Sequence, residues 1–294
     1  MKKLFYIILP VSVLFSCNVS GVETDLENDN DTTQIDTTDG ANQTGIELDK
    51  NHLLVDSING EPNEMVYQAE SGLRVEWSTK TENTKVGANN VALVNYSVRV
   101  AGGEEFDNND KIGFPVPLKP GIGMIVEGWD LGLQVMAEGD EGRIMIPNAL
   151  AYGEDGYSTI VPPKADLIVD IEVVEVVEAI RLDEGVKVYK WQSVEDGETP
   201  KKDQEIIFDY FAYHKGDGAH MYDNSFQNGE PFSFKFENAS VIDGLHQGMS
   251  IMKVGENAFI DIPAKLAYGK KGLLDHVPAN RDIVYDVRVI SIED

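Results

Sequence analysis

Cysteine is almost absent. Cys17 is the only one among 294 residues, which excludes an intramolecular disulfide framework and a zinc site built on cysteines. The five histidines form no HxxxH or HExxH pair, so a zinc hydrolase is not expected. Positive charge is scarce: 24 Lys and Arg stand against 51 Asp and Glu, for a formal net charge of −27. A field of that sign repels phosphate backbones and anionic headgroups, which argues against a nucleic-acid binder. Neither a metal nor a nucleic acid is therefore an expected partner. Long apolar runs are missing too, since a membrane-spanning helix needs about 20 consecutive apolar residues.

The longest such run, Leu4 to Phe15, follows Lys2 and Lys3 and ends at Leu14-Phe15-Ser16-Cys17. Its length and basic flank fit a secretory signal segment. The Ser-Cys ending resembles a bacterial lipobox, in which the cysteine is lipidated and becomes the mature N-terminus. Residues 1–17 are accordingly expected to be a lipoprotein signal peptide. Cys17 would carry the lipid, and the chain would be an exported, membrane-anchored lipoprotein of a bacterial cell envelope. An ordinary signal peptide with an incidental cysteine is the other reading. Residues 18–66 are rich in Asp, Asn, Thr and Glu, with Lys50 as the sole Lys or Arg. Such a stretch buries too little to offset chain entropy and reads as an acidic, disordered tether. Within it, Ile46 to Ile58 hold enough apolar residues to pack locally against the first folded domain.

The remainder is a duplication. Gly139-Asp140-Glu141-Gly142-Arg143-Ile144-Met145-Ile146-Pro147 returns 116 residues later as Gly255-Glu256-Asn257-Ala258-Phe259-Ile260-Asp261-Ile262-Pro263. At the same step Ala151-Tyr152-Gly153 returns as Ala267-Tyr268-Gly269, Phe106-Asp107 as Tyr222-Asp223, and Gly128 and Gly132 as Gly244 and Gly248. A period this long marks a repeated domain rather than a solenoid. The expected domains are residues 67–179 and 180–294. In both copies the strands alternate: Val94, Tyr96, Val98 and Val100 in one, Ile206, Phe208, Tyr210 and Ala212 in the other. Period two is the signature of a half-buried strand. Val126, Trp129, Leu133 and Met136, and likewise Ile242, Leu245, Met249 and Met252, fall at helical spacing. Several strands and one short helix per copy predict an α+β fold, each copy a curled antiparallel sheet around that helix.

These residues resemble the FKBP-type peptidyl-prolyl cis-trans isomerase family, over residues 72–178 and 185–293. In the first copy the family's elements fall on Tyr96, Phe106-Asp107, Ile125-Val126-Glu127-Gly128-Trp129, Ala151-Tyr152-Gly153 and Ile160-Val161-Pro162-Pro163. The second copy keeps Tyr210, Tyr222-Asp223, Phe232, Ile242, Tyr268 and Tyr285. It departs at the pocket floor, where Leu245 replaces tryptophan. The first copy departs at Val116 and Val169, which stand where the second has Phe232 and Tyr285.

The resemblance implies an apolar cup for X-Pro segments of polypeptide clients, with Trp129 as floor and Tyr96, Phe106, Val126 and Ile160 as walls. It also implies that the Val126 N–H and the Tyr152 hydroxyl donate to substrate carbonyls, and that Asp107 orients polar groups at the rim. Tyr210, Tyr222, Asp223, Phe232, Ile242, Leu245, Tyr268 and Tyr285 would form the second substrate cup. No cofactor is called for. The function implied is isomerisation of prolines in extracytoplasmic proteins during folding, with the first copy the better catalyst. Taken singly, Trp129 reads more readily as core than as pocket and Tyr96 equally well as core, and a non-catalytic FKBP-like chaperone or peptide-binding lipoprotein is the alternative.

Overall fold

The computed structural model describes residues 57–58, 61–62, 65–216, 218–238 and 241–294. Cys17 and nearly all of the acidic 18–66 stretch lie outside these. A two-residue pair, β1 (Ser57–Ile58) with β2 (Glu61–Pro62), precedes the first domain. That domain holds β3 (Val66–Gln68), β4 (Arg74–Thr79), β5 (Val91–Val100), β6 (Glu105–Asn108), β7 (Val116–Leu118), α1 (Glu127–Leu133), β8 (Glu141–Ile146) and β9 (Leu167–Val177). Its antiparallel sheet runs β3-β4-β8-β9-β5-β6, with β7 also on β5.

The second sheet repeats this plan. Its elements are β10 (Ile180–Arg181), β11 (Lys187–Gln192), β12 (Glu205–His214), β13 (His220–Asn224), α2 (Ser225–Asn228), β14 (Phe232–Lys235), α3 (Asp243–Met249), β15 (Asn257–Ile262) and β16 (Ile283–Glu293). The order is β10-β11-β15-β16-β12-β13, with β14 on β12. The α+β reading holds. The expectation of one helix per copy needs correction: α2 is an extra turn in the second. There the Asn224 side chain accepts the Gln227 N–H at 2.9 Å, and Gly229, at φ 80°, ends it. The Asn cap and left-handed Gly are a start-and-stop pair, but the first copy carries Asn108 and Gly113 (φ 77°) at the matching positions, where Asn108 accepts the Asp110 N–H at 3.0 Å and no helix forms.

The alternation seen in the sequence becomes the two faces of each sheet. Inward residues Val94, Tyr96, Val98, Ile144, Ile146, Val169 and Ile171 close around Trp129, Leu133 and Met136 to make the first core. The helix lies close to β8 because glycine faces it. A Cβ on Gly128 would stand 2.3 Å from Ile146 Cγ2 and 3.0 Å from Leu150 Cβ. The outward face of this sheet is polar away from the end where Val91, Leu93 and Val177 lie. Arg143 Nε pairs with Asp170 at 2.6 Å, Arg99 pairs with the same carboxylate, and Asn95 donates to Glu172 at 2.8 Å.

The outward face of the second sheet is aromatic instead. Tyr189, Trp191, Phe211, Tyr213, Phe259 and Val284 are buried, and they cluster with Val91 and Ile122 of the first domain. The domains thus share a core of their own. At its edge the Lys119 side chain is fully buried, its Nζ 3.3 Å from Asp261 Oδ1 and 3.8 Å from the Tyr189 ring centre. Burial pushes the Lys119 pKa down to about 8, and Asp261 opposes that shift.

The glycine contact yields a direct expectation. Gly128→Ala should gain helix propensity of up to about 1 kcal/mol but overpack against Ile146 and Leu150 by about 1–3 kcal/mol. A lowered urea midpoint is the expected net result. An unchanged or raised midpoint would mean that β8 can move away from the helix at no cost.

Candidate active site

Between α1 and the strands that flank it lies a small cleft. Val98 comes from β5, Phe106 and Asp107 from β6, and Leu167 from the start of β9. Ile125, Val126 and Trp129 come from α1 and its approach, and Tyr152 from the loop after β8. Trp129 is 3% exposed, so the residue that floors the cleft is also core. Tyr96 does not line the cleft. It stands behind Trp129, edge to face at a ring separation of 5.0 Å. Its hydroxyl donates to Asp107 Oδ2 at 3.2 Å. Tyr96 therefore braces both the floor and the rim.

Each polar group has a legible electrostatic state. Burial raises the Asp107 pKa, while the Tyr96 hydroxyl and the Asn108 N–H pull it back down. Burial likewise raises the Tyr152 pKa, with Tyr157 and Asp107 adding to it, so the phenol stays protonated and can donate. Tyr152 packs on Tyr157 with ring centres 5.2 Å apart. Val126 is the residue before α1, and its carbonyl accepts from the N–H groups of Trp129 and Asp130 at 3.0 and 3.1 Å. Its own N–H precedes the helical ladder, as at any helix start.

Of the residues expected in the first cup, Phe106, Asp107, Val126, Trp129 and Tyr152 meet in this cleft. Ile160 does not line it. Tyr157 and Val161 exchange backbone hydrogen bonds at 2.8 and 3.0 Å, and that turn buries Val161 and leaves Ile160 45% exposed. Sequence reasoning passed over Val98, Ile125 and Leu167 as lining. The signal was present, since Val98 and Leu167 occupy inward positions of alternating strands and Ile125 sits in the motif that leads into α1.

The second copy gathers its residues differently. Tyr210 donates to Asp223 Oδ2 at 2.6 Å, as Tyr96 does to Asp107. Its ring partner, however, is Tyr285 of β16, at 5.4 Å, instead of a helix tryptophan. Leu245 is buried beneath, and Tyr222 and Tyr268 meet edge to face at 6.3 Å. Burial first, then the neighbouring phenols of Tyr285 and Tyr268, holds the Tyr222 hydroxyl in its acid form. Ile242 immediately precedes α3, and Phe232 lies edge-on to both Phe208 and Tyr210 with 41% of its surface exposed. Trp-to-Leu on the helix and Val-to-Tyr on the strand thus offset each other in volume.

The Tyr96–Asp107 bond can be tested by titration. Tyr96→Phe removes a donor that favours the carboxylate, so the Asp107 midpoint should rise in carboxyl-carbon NMR. Asp107 already binds its proton more tightly folded than unfolded, so its ionisation weakens the fold as pH rises through that range. The variant should steepen this loss, and an unmoved midpoint would show that the bond does not hold the carboxylate.

Among known proteins, the family described as FKBP-type peptidyl-prolyl cis-trans isomerase matches this chain twice, at residues 82–174 and 196–290. The peptidyl-prolyl cis-trans isomerase FKBP10 of Mus musculus is 28% identical over 208 residues, covering 67% of this chain and 33% of that protein. The peptidyl-prolyl cis-trans isomerase FPR2 of Saccharomyces cerevisiae is 40% identical over 74 residues, covering 25% of this chain and 55% of that protein. The chain therefore spans a minority of the FKBP10 length and about half of FPR2. A crystal structure of the three FKBP domains of wheat FKBP73 superposes with a TM-score of 0.39 at 20% identity, over 76% of this chain and 95% of that one. With both copies matched across more than half of its length, this chain belongs to the FKBP-type peptidyl-prolyl cis-trans isomerase family.

Proposed function

We propose that this chain catalyses cis-trans isomerisation of X-Pro bonds in polypeptide clients, with the first cleft as its principal site. The observation that carries this reading is an apolar cleft floored by Trp129, with a protonated phenol, Tyr152, at its side. An X-Pro amide crosses a barrier of about 18–20 kcal/mol and needs tens to hundreds of seconds unaided. Its twisted transition state has lost amide conjugation and is less polar than the planar ground state. An apolar, water-poor cup favours it, and a hydroxyl donor aimed at a substrate carbonyl holds it in place. Lowering the barrier by about 5 kcal/mol gives roughly four orders of magnitude in rate. No nucleophile, proton transfer or cofactor enters.

The second copy serves this reading as a client holder or weaker catalyst. Leu245 offers a proline ring less surface than Trp129, and Tyr285 occupies the strand position opposite. At about 25 cal/mol per Å², even 50 Å² of lost contact weakens ring binding by about 1 kcal/mol. The clients are polypeptides exported with the chain, and their folding is the service performed. Residues 67–179 and 180–294 act as the two functional units, joined to an envelope membrane through Cys17 and the acidic 18–66 spacer. Two or three acyl chains, not one, make such attachment stable.

Two measurements bear on this. In the full-length chain, Phe106→Ala and Asp107→Val should each lower proline-peptide turnover at least tenfold while the melting temperature stays within a few degrees. Full activity in both folded variants would remove the first cleft from the mechanism. For the anchor, intact-mass analysis of the mature protein should find a lipidated Cys17 at its N-terminus. An unmodified start elsewhere would end the lipoprotein reading.

A further inference from the structure

The aromatic outward face of the second sheet is not a general property of this fold, because the first sheet carries polar residues at the matching positions. Asn95 corresponds to Phe211, Ser97 to Tyr213 and Arg143 to Phe259. Those rings are covered by Val91 and Leu93 of β5, by Val177 of β9 and by one loop of the first domain, residues 119–124, between β7 and α1. Ile122 is fully buried among them. Lys119 opens the loop directly after β7 with its ammonium against Asp261, which also accepts from Lys215 Nζ at 3.1 Å. Gly123 has φ +71°, and a Cβ there would lie 2.2 Å from the Ala219 carbonyl oxygen. The loop is thus pressed onto second-domain backbone.

That loop runs directly into Ile125 and Val126 of the cleft. A second tie reaches α1 itself. The Gly121 N–H donates to Asp130 Oδ2 at 2.8 Å, and Asp130 follows Trp129 in the helix. Gln134 donates to Asp130 Oδ1 at 2.6 Å and braces that carboxylate from one turn on. None of the residues lining the first cleft belongs to the second domain, and this loop is the contact with that domain that leads directly into the helix carrying Trp129.

We propose that the second domain is a positioning platform for the first active site: its outward face fixes the 119–124 loop, and the loop fixes the floor and the Val126 N–H through Asp130. This rests on the isomerase reading for its catalytic consequence, but not for its structural one. Ile122, Gly123 and Asp130 are positioning residues, since none touches substrate.

The test compares two alanine substitutions in the full-length chain. Gly123→Ala and Gly102→Ala both burden a left-handed backbone, at φ +71° and +75°, but a Cβ at Gly102 meets nothing within 4 Å. Hydrogen exchange of the 120–133 amides should speed up at least tenfold in Gly123→Ala. The kcat/KM for a proline peptide should fall at least fivefold, with exchange in α3 unchanged. In Gly102→Ala both quantities should stay within twofold of wild type. Ile122→Ala, which adds no bulk, should reproduce the effect if Gly123→Ala does not fold. Exchange in α1 that matches the Gly102→Ala control overturns the proposal, and so does a rise spread evenly over the whole first domain. If the wild-type chain shows no turnover, the isomerase reading fails, and the α1 exchange pattern still decides for or against the platform.

Discussion

A seven-residue helix must cover the concave face of each sheet. Seven residues span about 10 Å, whereas a ten-residue strand such as β5 spans about 33 Å. The helix cannot cover that face, and the part it leaves open is the cleft. Trp129 stands at this edge, with its ring packed against Tyr96 on one side and lining the cleft on the other. Glycines at positions 128 and 132 draw the helix down against Ile146 and Ile144, which keeps the floor shallow and firmly held. Stability and the candidate chemistry therefore draw on the same few side chains.

The duplication shows how far one architecture can be repurposed from within. Both copies keep the strand tyrosine bonded to an aspartate on the next strand. They differ in what that tyrosine leans on: a helix tryptophan in one, a strand tyrosine in the other. They differ again on the outward faces, where charge meets solvent in the first and aromatic rings meet the neighbouring domain in the second. Separating the copies would expose that aromatic face, so the chain is best understood as one body with two copies of unequal character.

Much of this was legible in the residues. Alternation fixes which side of β5, β9, β12 and β16 faces inward, and the 116-residue repeat lays the second domain over the first. The helix positions followed from four apolar residues at helical spacing. The less legible features depend on contacts distant in sequence or on single backbone dihedrals. Phe211 and Tyr213 interrupt the polar side of β12, but nothing local says that the 119–124 loop covers them. Ile160 and Val161 are equivalent in composition, and only the Tyr157–Val161 turn decides which one is buried. The brief α2 turn is equally hidden, since the first copy carries an Asn and a left-handed Gly at the matching positions, Asn108 and Gly113, and forms no helix there.

The central claim is that the apolar cleft over Trp129 turns the X-Pro bond. Exchange NMR of a proline peptide with the isotopically labelled full-length chain addresses it most directly, because it reports turnover and location together. The account predicts accelerated cis-trans exchange cross-peaks, accompanied by shifts at the Trp129 indole, the Val126 amide and Tyr152. Absence of acceleration, or shifts confined to Leu245 and Tyr268 while exchange is accelerated, would contradict it.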